Sequence, residues 1–412
     1  MADKHIYFIV AEEKIEKICK FNPLLINQFT KKFEKIYILN LFNLKLFTKK
    51  KKFKYEEKIT DQIFILNFAD TKEFKKFAFQ KSIVSILNIG KDPSYFNIHY
   101  QIKKFDIKLI MIMNQSQIGN SMTVNLNFKY LFSAGSHYFH KGFYHFFRFM
   151  TIINLFPKID LLFESNSEVK GYIENSRSKR IENYMPFLKI SYFKEVVLVN
   201  SIYFDKINLI FKNKKQKKDH IIYIDTHFDH PDKLSREGKI SANKQNTFYE
   251  NLEEFLKKIS QIYKKPIKIS KHPKNNSRHK FYKSFEISQI NTDEEIFDSE
   301  IILYTVSSAV LNAVILKKKI INLKSKLLGD YLQNIGNQYV KSLGLVSYDI
   351  DKYQNIKKDE LDKKLNDSII NYENYINFKL IADGNNLSCV KISETILFKF
   401  FKYFDDQKQQ EY

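Results

Sequence analysis

The chain of 412 residues has no tryptophan, two cysteines, seven prolines and ten glycines. Each shortage closes off a class. Two cysteines, Cys19 and Cys389, cannot build a disulfide framework or a cysteine-rich metal site, and a reducing cytoplasm suits them. The few glycines form neither a G-x-G-x-x-G turn after a strand nor a Walker P-loop, so any phosphate must be held by other means. No run of about eighteen apolar residues occurs, so no segment is expected to span a membrane. The opening MADKHIYFIVAEEK lacks the apolar core of a secretory signal and reads as a first strand. Zinc spacing, helix-turn-helix and aromatic RNA-binding signatures are missing too, so no nucleic-acid partner is expected.

What is present is apolar and basic. An apolar content of 44%, with 38 Phe and 25 Tyr, supports real cores and excludes global disorder. The formal charge of +22 comes with heavy use of Lys, Ile, Asn, Phe and Tyr, the pattern of an AT-rich genome. Most of that charge is expected on solvated surface, the rest serving anionic partners such as phosphates or acidic lipid headgroups. The length fits two domains of roughly 150–200 residues.

Apolar runs and helical patterns alternate. Ile6–Val10, Lys35–Leu41, Ile63–Leu66 and Ile107–Met113 read as buried strands, and Glu73–Leu87 has helical spacing. Lys49–Lys54 (KKKKFK) reads as a solvated loop between elements, and the basic stretch Lys212–Asp219 as a linker or surface loop. A second series follows: strand Ile221–Ile224, helix Thr247–Tyr263, strands Ile267–Ser270 and Ile301–Tyr304, helix Ala309–Lys317, and strand Lys319–Leu323. The tail Ser393–Phe404 is an apolar helical pattern behind a serine cap. The expected class is α/β: two Rossmann-like domains facing a central cleft, over residues 1–210 and 211–385, with a terminal helix over 386–412. His137–Phe149 packs rings and basic groups together, as either a buried helix or an interfacial one beside anionic lipid.

The chemistry concentrates at strand ends. Ile267–Ser270 stops at Lys271, His272 and Pro273, where the proline forces the chain out of the sheet. Ile301–Tyr304 is followed by Ser307 and Ser308 at the start of a helix, where hydroxyls, backbone N–H groups and the helix dipole favour an anion. Open sheets bind ligands at such exits. His272 is a phosphate donor or a residue that caps a carbonyl; the serines bind phosphate or cap the helix. The third cluster is IIYIDTHFDHPD, in which Asp225 ends a strand and His227 follows. That stretch reads as a catalytic loop, a surface loop or a metal site. Asp225 would serve as general base or nucleophile. Glu164, after the strand Ile159–Phe163, is a second catalytic carboxylate or a plain strand-end residue.

A strand ending in His-Pro, then a strand ending in Ser-Ser at a helix start, resembles the nucleotide-binding half of GT-B glycosyltransferases over Ile221 to Asp330. The likeness is to bacterial enzymes of surface-polysaccharide synthesis that use CMP-sugars: sialyltransferases, polysialyltransferases and the retaining Kdo transferases of capsule and lipopolysaccharide assembly. CDP-polyol transferases of teichoic-acid type have a similar His-Pro and serine arrangement. The resemblance implies a GT-B fold whose terminal helix crosses back over the domain junction. It implies that His272, Ser307 and Ser308 hold the donor phosphate and nucleotide, and it supports Asp225 as the catalytic residue; Lys271 and Pro273 join the donor site, and Glu164 and His227 the catalytic candidates, on their positions in the sequence. It also implies a glycan or lipid-linked acceptor, met in the cytoplasm or at the inner membrane face; peripheral contact with anionic lipid is the expectation of the basic charge and of the interfacial reading of 137–149. Two departures stand out: no Asp-Asp-Gly or Glu-Asp-Gly element of sialyltransferases is present, and no Asp-x-Asp pair closes a strand. A metal-independent, cofactor-free transfer from a nucleotide sugar is therefore expected. The alternatives are CDP-polyol phosphate transfer and a non-catalytic polysaccharide assembly role.

Overall fold

A computed structural model describes residues 5–12, 23–87, 89, 93–113, 150–151, 154–165, 193–226, 238, 240–272, 282, 284–352, 355–382 and 387–401. The described residues form two compact units. Those up to 113, those from 150 to 202 and those from 381 onward make the first, and those from 203 to 380 make the second.

The first unit is built on β1 (His5–Val10), α1 (Pro23–Lys32), β2 (Lys35–Asn40), β3 (Glu56–Lys58), β4 (Ile63–Asn67), α2 (Thr71–Phe79), β5 (Val84–Leu87), α3 (Phe96–Lys104), β6 (Lys108–Met113), β7 (Ile159–Glu164) and β8 (Phe193–Leu198). The strand order is β3-β4-β2-β1-β5-β6-β7-β8. Every pairing is parallel except that of β3, which runs antiparallel to β4 at the edge. A sheet buried on both faces needs continuous apolar strands, and IYFIV in β1 shows why. Ile6, Phe8 and Val10 face one core with Phe29, whereas Tyr7 and Ile9 face another with Phe74 and Ile98.

Glu73–Leu87, one helical pattern in the sequence, divides into α2 and β5. Asp70 starts the helix by accepting from the N–H groups of Lys72 (2.7 Å) and Glu73 (3.0 Å), and Glu73 accepts from Ala69 N–H at 2.6 Å. That reciprocal cap contributes about 1 kcal/mol. The helix ends at Phe79, and the β-branched Val84 and Ile86 pass into the sheet, where Tyr7 pairs with Ser85 and Ile9 with Leu87. Pairing with β1 outweighs the local periodicity. The tail is also corrected: α10 (Ser388–Phe401) begins five residues before Ser393, whose hydroxyl bonds the Val390 carbonyl at 2.7 Å inside the helix. Cys389, Ile392 and Ile396 share a core with Leu25 and Phe29, and Phe401 meets Phe33 edge-on at 5.8 Å. Helix α10 thus packs into the core of the first unit.

At the carboxyl edge of that sheet two buried asparagines close a network. Asn40 donates to Asn67 Oδ1 at 2.9 Å and to the Glu12 carbonyl at 3.1 Å, and accepts from the N–H groups of Glu12 (3.2 Å) and Phe42 (3.3 Å). Both donors and both acceptor sites of its amide are used.

The second unit comprises α4 (Ile202–Phe211), β9 (His220–Ile224), α5 (Ala242–Tyr263), β10 (Ile267–Ser270), β11 (Glu286–Ile287), α6 (Thr292–Asp298), β12 (Ser299–Tyr304), α7 (Val310–Ile315), β13 (Lys319–Lys324), α8 (Asp330–Leu343), β14 (Val346–Asp349) and α9 (Lys358–Tyr375). All its strands run parallel in the order β11-β10-β9-β12-β13-β14. In chain order this is 3-2-1-4-5-6, the doubly wound nucleotide-binding arrangement. Lys212–Asp219 joins α4 to β9 within this unit, and Phe211 stacks on Phe297 at 4.3 Å.

The opposite edge carries a buried cation. Lys318 donates to the carbonyls of Phe297 (2.5 Å) and Ser299 (2.8 Å). Burial, reinforced by Lys218, pushes its pKa down to about 8. The unfolded chain keeps that proton to about pH 10.4, so between the two values the unfolded state binds more protons and stability rises with pH. The stability difference between the wild type and Lys318→Met should therefore move in favour of the wild type by up to about 3 kcal/mol from pH 7.5 to 10.5. Urea unfolding at stepped pH reads this; a difference that stays constant would show that Lys318 does not titrate there.

Candidate active site

Three neighbouring strands of the second sheet end in one place. Ser270 of β10 pairs with Ile224 of β9, which pairs in turn with Tyr304 of β12. The residues that follow therefore emerge side by side: Lys271 and His272, Asp225 and Thr226, and Thr305 to Ser308. The chain reverses its winding direction between β9 and β12, and in sheets of this order that point opens a crevice.

Asp225 stands at the centre, 1% exposed. Its N–H donates to the Ser270 carbonyl at 2.9 Å, and its Oδ1 accepts from the Tyr282 hydroxyl at 2.6 Å. Tyr282 lies in an aromatic group with Tyr249 (5.5 Å, edge-on) and Tyr223 (6.3 Å). Burial, aided by the Asp225 charge, pushes the phenols of Tyr223 and Tyr282 well above the ordinary tyrosine value. Tyr282 thus stays protonated and remains a donor to the carboxylate.

Thr226 and Thr305 join their hydroxyls across the gap between β9 and β12, and the Val306 N–H reaches Thr226 Oγ1 at 3.4 Å. The Thr305 carbonyl accepts from Asn322 Nδ2 at 2.9 Å, and Asn322 Oδ1 accepts from Ser347 at 3.2 Å. Helix α8 approaches this corner through Gly336, where a Cβ would stand 3.3 Å from the Thr305 oxygen. On the other flank, Ser270 Oγ bonds Thr292 Oγ1 at 2.7 Å. A short hydroxyl belt thus runs from β10 to β14.

The serine pair sits differently from the sequence expectation. Helix α7 is six residues long, and its cap position is Ala309, without a side-chain bond. Ser307 Oγ accepts from Ala309 N–H at 3.2 Å, and the N–H groups of Val310 and Leu311 bond the carbonyls of Ser307 and Ser308. The tight turn before the helix thus engages amides that the sequence assigned to an anion. Ser307 is half-buried and Ser308 exposed.

Asp225, Lys271, His272, Ser307 and Ser308 are thus brought to one sheet edge, with Lys271 and His272 half-buried. Glu164 lies in the first unit, fully buried at the end of β7, and its Oε1 accepts from Ser165 N–H at 2.9 Å. His227 and Pro273 lie outside the described residues, as does the aromatic–basic segment 137–149. Sequence reasoning passed over Thr226, Thr305, Tyr282, Ser270 and Thr292. For the threonines a signal existed, since Ile-Asp-Thr and Leu-Tyr-Thr each put a hydroxyl just beyond a buried strand.

No protein-family model and no curated protein matches this sequence. Solved structures align with it along most of its length. A variant of the wall teichoic acid polymerase TagF aligns over 100% of this chain and 90% of its own at 13% identity, with a TM-score of 0.50. The UDP-GlcNAc 2-epimerase of Methanocaldococcus jannaschii aligns over 96% and 99% at 15% identity (TM-score 0.47). The calicheamicin glycosyltransferase CalG4 aligns over 98% and 100% at 7% identity (TM-score 0.47). The fold is that of the GT-B class: two doubly wound α/β units in one chain, closed by a helix that returns to the first.

The Tyr282–Asp225 bond yields a stability prediction. Tyr282→Phe strips the buried carboxylate of a donor and should cost about 1–3 kcal/mol. Asp225→Asn keeps an acceptor oxygen and should cost less than Asp225→Ala. Denaturant midpoints of the three variants measure this; equal losses for Asn and Ala would mean that the tyrosine hydroxyl contributes nothing.

Proposed function

We propose that the chain is a GT-B transferase of surface-polysaccharide synthesis that takes a nucleotide-activated donor at the carboxyl edge of β10, β9 and β12. The observation that carries this is the convergence of Lys271 and His272, Asp225 and Thr226, and Thr305 to Ser308 at the switch point of a 3-2-1-4-5-6 sheet. A lysine, an imidazole and serine hydroxyls suit a phosphate group where no glycine fingerprint exists.

In this reading Lys271, His272, Ser307 and Ser308, with Pro273 shaping the exit, offset charge on the departing nucleotide phosphate. Preorganised donors of that kind supply much of the rate enhancement in such transfers. Asp225 is the carboxylate that activates the acceptor hydroxyl or attacks the sugar carbon, held in one orientation by Tyr282. Glu164 and His227 are the further catalytic candidates. The donor is a CMP-linked ulosonic acid of Kdo or sialic-acid type, and the acceptor a surface glycan or glycolipid met at the cytoplasmic face. The transfer needs no metal. A second reading, CDP-polyol phosphate transfer, rests on the same His-Pro and serine pattern, which teichoic-acid-type enzymes share.

Purified full-length protein incubated with CMP-Kdo, CMP-sialic acid, CDP-glycerol and CDP-ribitol decides between them. Release of CMP from a CMP-sugar, unaffected by EDTA, is the expected result. His272→Ala should lower that rate about 100-fold, and Asp225→Asn should abolish it with the fold retained. Turnover of the CDP-polyols alone would replace the first reading with the second. If no donor turns over and none of CMP, CDP, UDP or GDP raises the melting temperature, both transferase readings fall.

A further inference from the structure

The loop after β2 displays an aromatic ring in an unusual way. Phe47 is 92% exposed and has a φ of +61°. Bulky side chains rarely occupy that left-handed region, which glycine and asparagine fill at less cost. A phenylalanine kept there, with its ring in water, gains nothing from the fold. Strain of this kind, coupled to an exposed apolar group, points outward to a partner.

The loop is also clamped. Asn43, buried at its base, donates to the Lys51 carbonyl at 2.9 Å and accepts from the Lys51 N–H at 2.8 Å. Leu46 N–H bonds the Ser94 carbonyl at 2.8 Å, and Lys45 lies over the Tyr95 ring at 4.6 Å and the Phe42 ring at 5.6 Å. Phe53 folds back edge-on to Phe42 at 6.0 Å. Residues 44–50 are therefore presented on a closed base, with Leu46 and Phe47 exposed at the tip.

Along the loop itself the charge has one sign. Lys45, Lys49, Lys50, Lys51, Lys52 and Lys54 fall between residues 45 and 54, with no acid among them. All but Lys45 are exposed. Beyond the loop, Glu56 and Asp61 are exposed acids, Asp61 paired with Lys58 at 2.6 Å, while Glu57 accepts from Asn67 at 3.3 Å and Asp70, near Lys50, caps α2.

We propose that residues 45–54 form a docking surface for an anionic lipid bilayer, with Phe47 entering the headgroup–acyl boundary and the lysines lying against acidic headgroups. The two components match the two parts of that interface. A soluble polyanion would use the lysines but has no place for an exposed phenylalanine and leucine, so the bilayer is the partner the surface fits. The proposal does not depend on the transferase reading, and its test needs no turnover.

Because the chain has no tryptophan, Phe47→Trp installs a single emitter at the tip. Its emission should shift to the blue on adding vesicles of phosphatidylcholine and phosphatidylglycerol in equal parts. Lipids brominated in the acyl chain should quench it, and phosphatidylcholine vesicles alone should leave it unchanged. A second variant keeps Phe47 and reverses three charges (Lys49→Glu, Lys50→Glu, Lys52→Glu). At about fivefold per lysine, its flotation with the anionic vesicles should weaken about 100-fold or more, with an unchanged melting temperature. An unshifted tryptophan, or flotation that survives the charge reversals, would overturn the proposal. A shift produced equally by heparin, without flotation, would overturn it in favour of a polyanion site.

Discussion

The parallel pairing of β9 with β10 on one side and β12 on the other is the constraint on which the second unit depends. Parallel strands share one polarity, so whatever follows each strand in sequence collects at a single edge. The strands are fixed by apolar runs with no chemistry of their own: Ile221, Ile222, Ile301, Ile302 and Ile269 are buried to completion. Their burial sets the register, and the register brings three separate polar tails together. A slip of one residue would turn Asp225 to the other face of the sheet, away from Tyr282. The site geometry is a consequence of core packing upstream of it.

What holds those tails in place is a set of short side chains. The paired Thr226 and Thr305 hydroxyls, the Asn322–Ser347 contact and the Ser270–Thr292 contact each join two neighbouring segments by a side-chain hydrogen bond. Buried hydroxyls of this kind rigidify only when each has a partner, because an unsatisfied one costs about 1–3 kcal/mol. Gly336 eases this arrangement, since a Cβ there would stand a tight 3.3 Å from the Thr305 oxygen.

The strands were legible because a buried parallel strand announces itself: IYFIV, KIYIL, IIYI and IILY are runs with no other stable reading. The failures lay where a local pattern met a distant partner. Glu73–Leu87 has helical periodicity throughout, yet its last four residues are drawn into the sheet by β1, over seventy positions earlier. Ser393 looks like a cap because an apolar run follows it; Cys389 and Ile392, just before that point, are needed by Phe29 and Leu25. The partner of Asp225 was hidden for the same reason, since Tyr282 lies 57 residues on and nothing local marks it. The serine pair was visible as a pair, but the turn that consumes one hydroxyl depends on how short α7 is.

Among the described residues, both sheets tie down the segments that leave their carboxyl edges. In the first unit Asn40 spends all four of its hydrogen-bonding positions on Glu12, Phe42 and Asn67, and Asn67 reaches the Lys54 carbonyl at 2.8 Å. These bonds fix loops, including the segment that leads to the Lys49–Lys54 run. In the second unit the hydroxyl belt is bonded beneath, but Lys271, His272 and Ser307 stay half-buried and Ser308 exposed above it. The Asn40 network and the Ser270, Thr226 and Thr305 contacts thus do the same work in both units: each ties the segments that leave a sheet's carboxyl edge, so a polar side chain carried there has less left to order when it meets a ligand.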